Sequence, residues 1–226
     1  MAVWRKRSAE SSETGSAQLS SVQPSKDAPL SSLRYAVFDT ELTSLDHRTN
    51  RLLSIGAVAM QGTSIQIGEQ FYRVVNPEVS IPAASVVIHK LRSQDCERGE
   101  PLATTLEEFC RWIAGSVIIG HFVEIDLKIL RKEMAQTGHK LDNPSLDTAR
   151  IHDWLLRHGR YSEDLAVQLE KLDLSTVAHF YHVEVQDAHH ALSDAFLTAR
   201  IWQRMQHVLQ QKGVDTLGKA QKIGGA

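Results

Sequence analysis

Between residues 34 and 76 three apolar runs rich in β-branched residues follow one another, and beyond residue 100 short apolar runs alternate with stretches of helical periodicity. That order of segments constrains the fold more than anything else in the chain. Residues 34–40 form a short apolar run ending in polar residues, which suggests a buried strand. Residues 51–61 (RLLSIGAVAMQ) and 64–76 (SIQIGEQFYRVVN) read as two longer strands joined by a turn near Gly62, so the three suit an antiparallel meander. Pro82 introduces a short helix over 84–91. A second helix spans 102–114, with Leu102, Leu106, Phe109, Cys110 and Ile113 at the spacing of one helical face. A fourth strand at 116–120 leads to a helix over 123–136, which stops near Gly138. A fifth strand at 144–147 runs into a helix that ends near Arg157. Helices over 164–172, 175–181 and 190–209 complete the pattern. Strands interleaved with helices imply an α/β domain in which helices cover a mixed sheet.

The 226 residues suit one domain, assigned to residues 33–210, with tails. Residues 1–32 are rich in Ser and small residues and read as a disordered tail, while the Gly- and Lys-rich stretch 211–226 is expected to fray. The basic opening MAVWRKR is not followed by the apolar stretch of a secretory signal, and Glu10, Glu13 and Asp27 set it apart from a transit peptide. Apolar runs such as 117–119 are too short to span a bilayer, so no membrane association is expected. Cys96 and Cys110 provide neither a disulfide framework nor a paired zinc motif, which fits two reduced thiols in a cytoplasmic protein. The net charge of −2 lacks the basic footprint of a passive nucleic-acid binder. It does not exclude a nuclease, because bound cations supply the positive field at an acidic site.

Four acids stand in apolar company. Asp39 and Glu41 follow the run Tyr35-Ala-Val-Phe38, and their spacing puts both side chains on one face of the strand. Two like charges there repel unless a cation lies between them. Asp126 lies between Ile125 and Leu127, and Asp194 shares a helix side with Ala191, Leu197 and Ile201. A carboxylate on an inward-facing stripe is costly unless paired or metal-bound. The Asp39–Glu41 spacing alone is a weak signal, and Asp126 and Asp194, taken singly, are each as well explained by a salt bridge or a helix-cap contact. Together, four acids from one strand and two helices suit hard divalent cations, which prefer oxygen ligands. No phosphate-binding Gly-rich loop with Lys is present, which argues against an ordinary ATPase.

His189 stands five residues before Asp194 and suits a general base. A rival reading gathers His179, His182, His189 and His190 into a zinc cluster, although no cysteine lies near them in the chain to complete that set.

Three ordered motifs now resemble one family. They are Phe38-Asp-Thr-Glu41 with the strand Arg51-Leu-Leu-Ser-Ile-Gly-Ala-Val58, His121-Phe-Val-Glu-Ile-Asp126, and His189-His-Ala-Leu-Ser-Asp194, which matches H-x-A-x-x-D. Between them Asn76-Pro77, Ile81-Pro82-Ala83, Ile88-His89 and Asp147-Thr148 match further family segments. The chain thus resembles, over residues 33–209, the histidine-containing subgroup of the DEDD exonucleases, near the proofreading epsilon subunits of bacterial DNA polymerase III. The resemblance implies a ribonuclease-H-like fold with a central five-stranded mixed sheet flanked by helices. It also implies 3′–5′ exonuclease action by a two-metal mechanism with Mg²⁺ or Mn²⁺, releasing nucleoside 5′-monophosphates. In that scheme Asp39 contacts both cations, Glu41 and Asp194 hold the one that carries the attacking water, Asp126 acts chiefly through water, and His189 is the base. Thr40, Leu42, Thr43, His121 and Phe122 are expected to meet the terminal nucleotide.

The partner implied is a nucleic acid with a free 3′ end, and a polymerase or replication partner is among those the resemblance allows. DNA is favoured over RNA; an RNA-trimming enzyme with the same site and an inactive nucleic-acid-binding relative are the alternatives. Three positions depart from the family pattern: Ser44 stands where Gly is usual, Phe122 where Asn is usual, and Lys90 where Gly often follows the histidine. None removes an expected metal ligand or the base.

Overall fold

The computed structural model describes residues 22–44, 46, 48–159, 172–185 and 189–226. Five strands form one sheet: β1 (Arg34–Leu42), β2 (Leu52–Gln61), β3 (Ser64–Val74), β4 (Val117–Gly120) and β5 (Ser145–Asp147), in the order β3-β2-β1-β4-β5. β1, β2 and β3 pair antiparallel, as the meander requires, whereas β4 pairs parallel to both β1 and β5. This is the five-stranded mixed sheet of the ribonuclease-H-like fold. The helices are α1 (Ala83–His89), α2 (Ser93–Glu97), α3 (Leu102–Trp112), α4 (Glu124–Gln136), α5 (Thr148–Arg157), α6 (Leu174–Phe180), α7 (Ala191–Gln211) and α8 (Leu217–Gly224). The helix expected at 164–172 lies outside the described residues, apart from Leu172. No described helix is long and apolar enough to cross a membrane.

Alternation along β1 sorts the core into two layers. Tyr35 and Val37 face one side, where they join Val58, Met60, Ile119 and the α7 residues Ile201, Trp202 and Met205. Ala36 and Phe38 face the other, against Leu106 and Phe109 of α3 and Leu127, Leu130 and Met134 of α4. The centre of the sheet is therefore buried on both faces, and β2 carries apolar residues at nearly every position, whereas the edge strand β3 is mostly exposed or half-buried.

Both expected tails are ordered where they are described. Residues 211–226 do not fray: α8 buries Leu217 and Ala220. Nor is 22–32 a free tail, because Leu30 is buried and residues 30–32 form a 3₁₀ turn. The two segments complete each other. Leu30 N–H donates to the Asp215 carbonyl at 2.8 Å, and the amides of Leu217 and Gly218 donate to Ala28 and Lys26 at 3.0 and 2.7 Å. Neither segment has enough apolar surface to order itself, and their pairing supplies both the hydrogen bonds and the burial.

Candidate active site

The β1 alternation continues past the core, so Asp39 and Glu41 face the α7 side while Thr40 faces the α4 side. Asp39 is paired with Gly56 of β2, and Glu41 with Ser54. Gly56 decides what can lie above Asp39. A Cβ there would stand 2.1 Å from the Leu192 nitrogen and 2.3 Å from the Ala191 carbonyl carbon. The first turn of α7 therefore rests directly on the bare backbone of β2, which delivers Asp194 to the end of β1. One oxygen from each of Asp39, Glu41 and Asp194 lies within 4.8 Å of the other two.

Asp126 comes from the opposite layer, in the first turn of α4. It is 6% exposed and accepts a hydrogen bond from the Thr40 hydroxyl. It stands beside the three-acid cluster rather than in it.

Burial, joined at Asp39, Glu41 and Asp126 by the field of neighbouring carboxylates, raises the pKa of all four acids. The Asp39 carboxyl is raised well above the ordinary range, first by burial and then by Asp126, Asp194 and Glu41. Glu41 is pushed to about 7 by burial and then by Asp194 and Asp126. Asp126 is pushed to about 7 by burial, against the stabilising Thr40 hydroxyl. Asp194 is raised by burial, and the His189 amide that donates to its Oδ2 at 3.0 Å opposes the shift. Among the described residues, no ion pair links any of the four to Lys or Arg. Carboxylates this close ionise together only with a counter-charge between them. The donor set is all oxygen, which fits a hard divalent cation. No group of three or more histidine, cysteine or acidic ligands other than Asp39, Glu41 and Asp194 converges among the described residues, so the histidine zinc cluster does not form there.

The two adjacent histidines have different surroundings. His189 is exposed, adopts a left-handed φ of 67°, and has its amide tied to Asp194. His190 is the N-cap residue of α7, and its ring stacks on Tyr72 at 4.8 Å.

The residues expected at the nucleotide divide. The Thr40 hydroxyl is committed to Asp126. The Thr43 hydroxyl accepts from the Arg51 amide at 2.9 Å and closes the β1–β2 junction. His121 is buried, with Nδ1 at 2.9 Å from the Thr148 hydroxyl and Nε2 at 2.6 Å from the Leu172 carbonyl. Since a carbonyl only accepts, Nε2 carries a proton there. Leu42 is half-buried against the α3–α4 layer. Phe122 is different, with 43% of its surface exposed at the end of β4 beside α4.

A family model described as an exonuclease, of RNase T type, matches residues 36–202. The chain belongs to that family. Every acid of the site, and both histidines, lies inside the matched segment. The exonuclease is 28% identical over 200 residues to the PolC-type DNA polymerase III of Thermotoga maritima, covering 88% of this chain and 14% of that protein. It is 30% identical over 181 residues to the DNA polymerase III epsilon subunit of Rickettsia typhi, covering 76% and 74%. The chain thus spans only a small part of the PolC-type relative but most of the epsilon subunit. Among solved structures it superposes on E. coli Exonuclease I in complex with a dT13 oligonucleotide, with a TM-score of 0.67, 16% identity, and 80% and 42% of the two chains covered. That similarity supports the fold.

Two of the three departures from the family pattern fall on left-handed backbone. Phe122 has φ 52° and Lys90 has φ 60°, positions where Asn or Gly is at ease and a bulky side chain is strained. Ser44 shows no such conformation among the positive-φ residues. Two residues escaped the sequence reading. Gly56 carried a signal, since Gly inside a strand marks a close backbone approach. Tyr72 carried none, because only strand pairing brings it near α7.

Proposed function

We propose that this exonuclease removes nucleotides one at a time from the 3′ end of single-stranded or frayed DNA, releasing nucleoside 5′-monophosphates. The observation that carries the reading is the convergence of Asp39, Glu41 and Asp194 within 4.8 Å, with no basic partner among the described residues to neutralise them. Two Mg²⁺ or Mn²⁺ ions suit that donor set. Asp39, central among the acids, would serve both, Glu41 and Asp194 one, and Asp126 the other. When bound, such ions stabilise charge on the attacking and leaving oxygens of a phosphodiester.

The chain's own groups supply the rest. The exposed His189 imidazole takes the proton of the attacking water. The bond from its amide to Asp194 Oδ2 keeps the base in register with the acid cluster. The exposed Phe122 ring offers a stacking face to a terminal base, which favours unpaired ends and carries little sequence preference. DNA is preferred over RNA because the relatives are DNA polymerase III proteins. The epsilon likeness also makes a polymerase partner part of this reading.

The test uses a 3′-labelled strand, a 5′-labelled strand, a closed single-stranded circle and a short RNA, each with Mg²⁺ and Mn²⁺. Early release of labelled mononucleotide from the first, a ladder from the second, an intact circle and slow RNA digestion are expected. His189→Ala should lose about 10²–10⁴-fold in rate. Cutting of the circle overturns exonuclease action, and rapid digestion of RNA with DNA spared overturns the substrate assignment.

A further inference from the structure

The register of the sheet sets Tyr72, Gly56 and Asp39 in one row: Tyr72 is paired with Gly56, and Gly56 with Asp39. Directly paired residues share a face, so all three belong to the side covered by α7. The middle member has no side chain, and the start of α7 fills the space above it. On the far side of that space the Tyr72 ring lies against His190, with the planes 28° apart and the centroids 4.8 Å apart.

We propose that Tyr72 is a positioning residue for the reaction: its ring carries His190 and thereby fixes the backbone of His189, the proton acceptor. This inference rests on the reading of the site given above.

Local features argue that the His189–His190 step needs external support. His189 holds a left-handed φ of 67°, which an L side chain with a Cβ adopts at a cost. His190 occupies the N-cap without a side-chain cap hydrogen bond, where Ser, Thr, Asp or Asn would satisfy a free amide of the helix. Its Nδ1 is buried without a hydrogen-bond partner among the described residues. A short polar cap would avoid the last two costs but would offer no ring to Tyr72. Beyond the α7 backbone bond from the Asp194 amide to the His190 carbonyl at 2.9 Å, the contacts that hold the step among the described residues are the bond from the His189 amide to Asp194 and the stack on Tyr72. The first ties the base to the acid cluster; the second ties it to the sheet edge.

The ring, not the hydroxyl, makes this contact, which separates positioning from direct chemistry. A base displaced by an ångström loses alignment with the water it must deprotonate, while substrate binding is little changed. The expected signature is a fall in kcat at nearly constant KM.

The experiment is steady-state mononucleotide release from a single-stranded DNA oligonucleotide with Mn²⁺. The variants are Tyr72→Phe, Tyr72→Leu, His189→Ala and the Tyr72→Leu/His189→Ala double variant. Tyr72→Leu should lower kcat about 10-fold and leave KM within about 3-fold. Tyr72→Phe keeps the ring and should stay within about 2-fold of the parent. In the His189→Ala background Tyr72→Leu should have almost no further effect, because the group it positions is gone. His190→Leu removes the same stack without touching β3, and should reproduce the kcat loss if Tyr72→Leu fails to fold. Three outcomes overturn the inference alone: Tyr72→Phe as slow as Tyr72→Leu, an equal loss in both backgrounds, or a rise in KM with kcat unchanged. His189→Ala at full rate overturns the assignment of the base, and this inference with it.

Discussion

Replacing Gly56 by Ala places a methyl group where α7 meets the sheet. The added carbon would stand 2.1 Å from the Leu192 nitrogen and 2.3 Å from the Ala191 carbonyl carbon. Comfortable heavy-atom contacts are about 3.5 Å, so the first turn of α7 must retreat by roughly 1–1.5 Å. Both opposing atoms are backbone, so no change of rotamer relieves the clash. Two contributions compete. Ala in a strand interior gains about 0.5–1 kcal/mol over Gly through lower chain entropy. Overpacking a rigid contact costs about 1–3 kcal/mol. The clash outweighs the gain, leaving a net loss on the order of 1–2 kcal/mol and a Tm lowered by roughly 2–8 °C for a chain of this size. The rate should suffer more than the stability. Asp194 lies in the turn that is displaced and leaves the reach of Asp39 and Glu41, and an error of about 1 Å in such a site costs about 10²-fold. The assays are a thermal melt and mononucleotide release at saturating single-stranded DNA. A Gly56→Ala protein that melts like the parent and cleaves within about 2-fold of its rate would refute the argument that this contact sets the site.

Further predictions follow from the charge and strain of the site and its surroundings. The Glu41 carboxyl, raised from 4.5 to about 7, keeps its proton in the folded state after the unfolded chain has lost it. Without metal, its contribution to stability therefore falls as pH rises from 4.5 to about 7, by on the order of 3 kcal/mol. In chelator, Glu41→Gln should accordingly melt above the parent at pH 8 and level with it at pH 4, and Mn²⁺ should raise the melting point of the parent more; a variant that melts lower at pH 8 counts against acid repulsion. His152 has the opposite sign: burial lowers its pKa from 6.5 to about 4, so stability present above 6.5 is lost as pH falls through that window. Urea unfolding at pH 7 and 4.5 should show His152→Gln losing less stability on acidification than the parent, and equal losses would exclude His152 as the source. Phe122→Asn should relieve about 1 kcal/mol of left-handed strain and raise Tm, yet raise KM for single strands about 10-fold by removing the stacking face; a lowered Tm or an unchanged KM contradicts this assignment.

Much of the architecture was legible in the chain alone. Alternation marked the strands, 3–4 spacing marked the helices, and acids in apolar settings marked the cluster of Asp39, Glu41 and Asp194. These signals are local: each reports which face of a single segment avoids water, and needs no knowledge of its neighbours. What the tertiary structure alone decided depends on pairings between segments far apart in sequence. The parallel entry of β4 beside β1 brings α4, and with it Asp126, to the end of β1. The bare surface at Gly56 seats α7 so that Asp194 joins Asp39 and Glu41. Register across two strand pairs places Tyr72 under His190. Thr40, Thr43 and His121, expected at the substrate by motif, also hydrogen-bond within the fold to Asp126, Arg51, Thr148 and Leu172, which the sequence does not display. Segments 22–32 and 211–226, each too polar to order itself, hold each other through backbone hydrogen bonds that neither displays alone. Composition and periodicity record a segment's own preference for water or core. They do not record which distant backbone will satisfy its hydrogen bonds, and at this site that choice sets which side chains remain free for chemistry.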